Sequence, residues 1–228
     1  TLVAHKAYPD AEFLSATDER FRPVNLTNAP DGTLYIVDMY RGIVQQRSDI
    51  TEYLRDQVLS RKLEQPIGLG RIYRVMHETT TRAPRPALSA MTSAQLVGVL
   101  SHPNGWYRDT AQRMLVERRD RSVVPALVSI VESGAPARTR LKALWVLDGL
   151  DAIEPALVTK TLEDPDRDLR ASSIRIAERW IGEPNHPIQA AVLKRIDDAD
   201  WPVRHQLAAS IGAMAPGEKE AAAVEFLE

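Results

Sequence analysis

The sequence predicts a mixed, mostly α chain, in which a β-rich N-terminal part precedes an α-solenoid of stacked helix pairs. Three observations lead there. Strand-like segments and the aromatics Phe21, Tyr35, Tyr40, Tyr53 and Tyr73 gather in residues 1–77. Residues 78–89 hold "TTTRAPRPALS", with two prolines and little apolar content, which is the composition of a linker. From 90 to 228 apolar residues recur with a helical period, in copies that can be laid over one another.

The first residues, "TLVAHKAYPDAEF", lack the basic start and apolar stretch of a signal peptide and read as the interior of a longer chain. The first elements are strands at Pro23 to Asn28 and Thr33 to Asp38, joined by Pro30-Asp31-Gly32, which is strong turn chemistry. With that turn, Leu26 lies near Ile36, Val24 near Asp38 and Arg22 near Tyr40. A short amphipathic helix follows. Asp49 and Glu52 have capping-box-like spacing, and Ile50, Leu54 and Val58 recur every fourth residue. A third strand returns over Gly70 to Val75. Three or four strands with open edges make a poor domain alone, and they suit one blade of a β-propeller, where every blade has neighbours. Residues 1–77 are therefore expected to be the C-terminal part of a propeller, its closing blade carrying the helix as an insertion.

The helical part repeats four times: "SHPNGWYRDTAQRML", "ESGAPARTRLKALWVL", "EDPDRDLRASSIRIA" and "DDADWPVRHQLAASI". Each has a small or acidic turn and then an arginine, Arg108, Arg140, Arg170 and Arg204, at spacings of 32, 30 and 34 residues. Three positions on come Ala111, Ala143, Ser173 and Leu207, and seven on come Leu115, Leu147, Ala177 and Ile211. That is one recurring helical face. A second apolar helix precedes each turn, at Leu96 to Leu100, Val124 to Val131, Leu157 to Leu162 and Ile188 to Ile196. Such a pair cannot bury its apolar face without stacked neighbours. Asp166, or Asp200 ahead of Trp201 and Pro202, can cap the second helix. The pattern over about residues 90–215 resembles HEAT repeats, in which an Asp-Pro-like turn and an arginine in the second helix are characteristic. The tail "PGEKEAAAVEFLE" reads as the opening of a fifth repeat, so the solenoid is expected to be truncated at its C-terminal end.

The four arginines are expected to bind carbonyls or an acidic neighbour in the adjacent repeat; a phosphate-binding ladder is the functional alternative. The charge balance argues against the latter. Lys and Arg total 29 against 31 Asp and Glu, so no nucleic-acid partner is implied. No apolar run approaches the roughly 18–20 residues of a membrane span. The absence of cysteine excludes disulfides, thiolate catalysis, cysteine-ligated metal and covalently attached haem within these residues. Histidines 5, 77, 102, 186 and 205 show no i, i+4 pair and read as loop or turn residues. The tryptophans, Trp106, Trp145, Trp180 and Trp201, are expected to pack between repeats, with an exposed aromatic groove as the minority reading.

The string "FRPVNLTNAPDGTLYIVDMYRGIVQQR" with "PIGLGRIYRV" behind it resembles the closing blade of the membrane-bound dehydrogenase family. Those proteins carry a propeller similar to the sorbosone and glucose dehydrogenases, then HEAT-like repeats, then a c-type cytochrome module. The resemblance implies oxidation of a sugar or similar alcohol or aldehyde in a periplasmic or extracytoplasmic setting. It implies pyrroloquinoline quinone and haem c in the parent protein, and neither cofactor within this chain. The partners would be the remaining propeller blades and the cytochrome c module of the same protein, and the solenoid could hold a protein partner. The fragment alone is expected to be inactive. Arg22, Asp38, Tyr40 and Arg41 are the candidate pocket-rim residues. Arg22 and Arg41 would bind an anion or quinone carboxylate, Asp38 would act as a base or metal ligand, and Tyr40 would form a wall. The structural alternative makes Asp38 a loop-capping carboxylate and Tyr40 a packed aromatic. The competing function is a non-catalytic HEAT-repeat binding or scaffold protein.

Overall fold

The computed structural model describes residues 3–44, 47–84, 87–215, 217 and 224. Contacts divide the chain into two units, Thr1–Arg85 and Pro86–Glu228.

In the first unit, β1 (Pro23–Asn28), β2 (Leu34–Asp38) and β3 (Arg71–Val75) form an antiparallel sheet in the order β1-β2-β3. Leu26 pairs with Ile36, and Tyr35 pairs with Thr27 on one side and Arg74 on the other. The register slips between Pro23 and Asn25, so Pro23, rather than Val24, stands opposite Asp38. The turn is closed by Ala29 N–H to Thr33 O at 2.8 Å, with Gly32 at φ +84°, where a side chain would be strained. Asp31 secures the turn by accepting from the Thr33 hydroxyl at 2.6 Å. Helix α1 (Glu52–Ser60) begins at Thr51, whose hydroxyl accepts from Leu54 N–H at 3.3 Å, so the cap is Thr51 and not Asp49. Ile50 and Val58 are buried while Leu54 is exposed, which makes the expected apolar face narrower than its spacing suggests.

The expected β-propeller is overturned. The structure is mainly helical, with one three-stranded antiparallel sheet among the described residues and no closed ring of blades. The connections explain the sheet that does form. A tight hairpin places β1 beside β2, and the excursion through α1 returns the chain to the other edge of β2. No strand is described in residues 3–22 to extend it.

The second unit contains α2 (Ser93–Val99), α3 (Gly105–Arg118), α4 (Val124–Glu132), α5 (Ala137–Gly149), α6 (Pro155–Thr161), α7 (Arg167–Ala177), α8 (Ile188–Leu193) and α9 (Trp201–Ser210). Their starts follow local chemistry. Thr92 and Gln95 form a reciprocal capping box on α2, Asn104 caps α3, and Asp166 caps α7 through Asp168 and Leu169 N–H. Helix α2 packs on α3, α4 on α5 and α6 on α7; α3, α5, α7 and α9 then pack in succession. The face at three and seven positions after each arginine is buried, from Ala111 and Leu115 to Leu207 and Ile211. Buried Ser173 belongs to it because its hydroxyl donates to Leu169 O at 2.8 Å and bonds Thr161 Oγ1 at 2.6 Å. Leu88, inside the segment read as linker, is buried in this core.

Candidate functional site

The exit of the hairpin collects the four residues singled out in sequence. Asp38 is almost wholly buried, at 1% exposure. Its Oδ1 accepts from Arg22 N–H and from Tyr40 N–H, both at 2.8 Å, so one oxygen ties the approach to β1 to the turn leaving β2. Its Oδ2 is buried without a hydrogen-bond partner. Tyr40 sits at φ +48°, which the Asp38 bond to its N–H helps to hold. The Arg71 guanidinium lies 3.5 Å from the Tyr40 ring centroid. Arg22 donates to Gly42 O at 3.2 Å, and Arg41 Nε reaches Ile43 O at 3.5 Å. Gly42 is required at this place, because a Cβ would lie 2.5 Å from Leu63 O.

Arg22, Asp38 and Tyr40 are therefore brought together, but by contacts among themselves and with the backbone. Arg41 turns to its own loop. Arg71 joins the cluster, with Asp18 beside it at 3.8 Å. Asp18 is held below the usual carboxylate range by the Arg20 N–H and the Tyr40 hydroxyl. A cavity of about 570 Å³ opens on the β1 side instead, lined by Glu12, Phe13, Leu14, Ile36 and β1 residues Pro23 to Leu26.

The second constellation is longer. Arg108 Nη1 donates to His102 O at 2.6 Å and Pro103 O at 2.7 Å. Arg140 Nε donates to Ala135 O at 3.1 Å, and its other nitrogens reach both carboxylate oxygens of Asp164. Arg170 Nη1 donates to Asp164 O at 2.9 Å, while Nε and Nη2 bind the two oxygens of Asp198 at 2.8 Å each. Nη2 also bonds Asp200 at 2.8 Å, so Asp200 serves Arg170 and does not cap α9. Arg204 donates to Asp198 O.

A rule emerges. Each arginine closes the turn before its own helix, and Arg140 and Arg170 also take the carboxylate that stands six residues ahead of the next arginine. Arg108 takes none because that position in the second repeat is Gly134. Asp164 and Asp198 do double duty, since their Oδ1 atoms also accept from Asp166 N–H at 2.8 Å and Asp200 N–H at 3.0 Å. Burial opposes ionisation of Asp198, but the Arg170 and Asp200 bonds outweigh it and hold its carboxyl below the ordinary value. The signal for these aspartates was present in "EDPD" and "DDAD", yet many turns carry acids that cap locally.

Further ties join successive helices: Lys142 to Asp109 at 2.7 Å, and Arg179 to Asp148 at 2.6 Å. Trp106, Trp145 and Trp180 pack against the core, whereas Trp201 is exposed and stacks on His205 with centroids 4.8 Å apart. Among the described residues no group of three or more His, Asp or Glu could hold a metal ion, and no helix is long and apolar enough to cross a membrane.

Residues 2–79 match a family described as "Domain of unknown function (DUF7133)". No curated protein matches the chain. A solved structure titled "Crystal Structure of Engineered Protein. Northeast Structural Genomics Consortium Target OR329" is similar at 18% identity, over 60% of this chain and 68% of that one, with a TM-score of 0.37.

Proposed function

We propose that the helical unit is a scaffold that holds protein segments, the binding reading of the two expected from the sequence. The supporting observation is the arginine–aspartate ladder. Bidentate pairs between successive helix pairs, buried at Arg170–Asp198 and half-buried at Arg140–Asp164, set the register of one stacked element against the next and favour a fixed framework. The balanced charge suits a protein partner better than nucleic acid.

The experiment is cross-linking mass spectrometry in the cells that make the protein, using Lys142, Lys160 and Lys194 as anchors. Recurrent cross-links to one other polypeptide segment are expected. Cross-links confined to the helical unit itself would overturn the reading. The dehydrogenase reading rests on the resemblance of residues 20–76. It predicts quinone-dependent dye reduction by the full-length protein with a sugar panel and an artificial electron acceptor.

A further inference from the structure

Helix α5 turns one stripe to solvent. Arg138, Lys142, Trp145 and Gly149 recur at helical spacing, the first and last exposed and the middle two half-buried. The opposite side, with Ala143, Leu144, Val146 and Leu147, is buried. The stripe therefore carries two cations and an aromatic, and no acid. Asp148 stands beside it, held by Arg179 at 2.6 Å. Lys142 is tied to Asp109 at 2.7 Å, and Arg138 has no partner among the described residues.

Trp145 also belongs to a row that crosses the helices. Five positions after the repeat arginines come Arg113 on α3, Trp145 on α5 and Arg175 on α7. These three helices pack in succession, so the residues lie side by side. Both arginine side chains are largely exposed, at 65% and 58%. Each is held by one carboxylate of its own helix, Glu117 or Glu178. A guanidinium carries five N–H donors, so each arginine keeps donors on the solvent side. Trp145 lines a cavity of about 340 Å³ that has Arg175 in its wall.

We propose that the row Arg113, Trp145 and Arg175 docks an extended acidic segment of a partner protein. An apolar side chain of that segment enters the Trp145 cavity, and one carboxylate goes to each arginine. Packed helices stand about 8–10 Å apart. An extended chain advances about 3.3 Å per residue, so the two acids fall three residues before and after the apolar one. Charge complementarity selects this occupant. Four cations, Arg113, Arg138, Lys142 and Arg175, share the stripe and the row with Trp145, and one of them is unpaired among the described residues. Tryptophan and arginine are also the residue types that dominate the energy of protein interfaces. The inference rests on the scaffold reading and names the site and the chemistry of the partner.

The probe is a synthetic peptide, Gly-Glu-Ser-Ser-Phe-Ser-Ser-Glu-Gly, added to the isotope-labelled protein while the tryptophan indole N–H resonances are followed. Trp145→Phe assigns the signal. Saturable movement of the Trp145 resonance is expected, with smaller changes at Trp106 and Trp180. A peptide with glutamine in place of both glutamates should bind at least tenfold more weakly. Trp145→Ala should abolish binding, but it also opens a gap beside the core. The second variant is therefore Arg113→Glu with Arg175→Glu, both on exposed side chains. It should lose the glutamate peptide and gain a peptide with lysine at those two places, with circular dichroism unchanged.

A Trp145 resonance that stays in place at millimolar peptide overturns the proposal. So does equal affinity for the glutamine peptide, or binding that ignores the charge reversal. A single-stranded oligonucleotide that moves the same resonance at lower concentration than the peptide would assign the row to a polyanion, and also overturns it. In the cross-linking experiment, partner cross-links at Lys160 and Lys194 with none at Lys142 would overturn this site and leave the scaffold reading standing.

Discussion

Arg170 and Asp198, 28 residues apart in sequence, are joined by two parallel hydrogen bonds of 2.8 Å and are both at 8% exposure. The pair locks the turn ahead of α9 to the start of α7. Breaking one partner leaves the other with a lesser companion, Asp200 for Arg170 and Arg195 for Asp198, and costs about 1–3 kcal/mol. Asp198→Ala is expected to destabilise the helical unit by that amount, and Arg170→Ala similarly. The double variant should cost much less than the sum of the two. Urea unfolding followed by tryptophan fluorescence checks this, because all four tryptophans lie in the helical unit.

The same pair makes stability depend on acidity. The Asp198 carboxyl is held below its ordinary 3.8 in the folded chain. Its contribution is therefore fully present above that value and lost as pH falls through the folded one. The urea midpoint should drop steeply below about pH 4. Asp198→Asn should start lower at neutral pH and fall less on acidification. Parallel acid limbs in the two proteins would refute the assignment.

Gly149 lies where a Cβ would come within 2.7 Å of Val116 Cγ2 and 3.1 Å of its Cγ1. Gly149→Ala gains about 1 kcal/mol of helix propensity, but pushing α5 away from α3 costs about 1–3 kcal/mol. A net loss of stability is expected. Val116→Ala in the same chain should relieve the clash, so the double variant should be more stable than additivity allows. Thermal melting of the four proteins gives the answer.

Asp38 should behave as a turn clamp. Asp38→Ala removes the acceptor for Arg22 and Tyr40 N–H and is expected to cost about 1–3 kcal/mol. Asp38→Asn keeps one oxygen for both donors and should cost less than Asp38→Ala. Exchange of the Arg22 and Tyr40 amides is the direct readout; equal rates in wild type and Asp38→Ala would show that the bonds do not hold the turn.

Local features of both units were legible in the sequence. Pro30-Asp31-Gly32 specifies its turn through one glycine at positive φ, and Leu26 opposite Ile36 follows from turn length alone. The recurring arginines and the apolar positions behind them mark one helix face, because a 3.6-residue period leaves no other arrangement for them. Thr51 displaced Asp49 as the cap of α1 since either residue fits the spacing and only the chain's path selects one. The propeller expectation failed for a related reason. A hairpin with open edges states that it has neighbours, and a single returning strand, β3, supplied one of them.

The sequence by itself determined the elements, their faces and the places where an arginine must be satisfied, all through interactions spanning a few residues. Only the tertiary structure decided that Arg170 takes Asp198 and Asp200, that Arg140 takes Asp164, that Arg71 covers Tyr40, and that Arg204 stands without a carboxylate among the described residues. Those pairings join positions up to about 30 residues apart, and a guanidinium accepts any carboxylate brought within reach. Packing of α5, α7 and α9 in succession sets which one arrives.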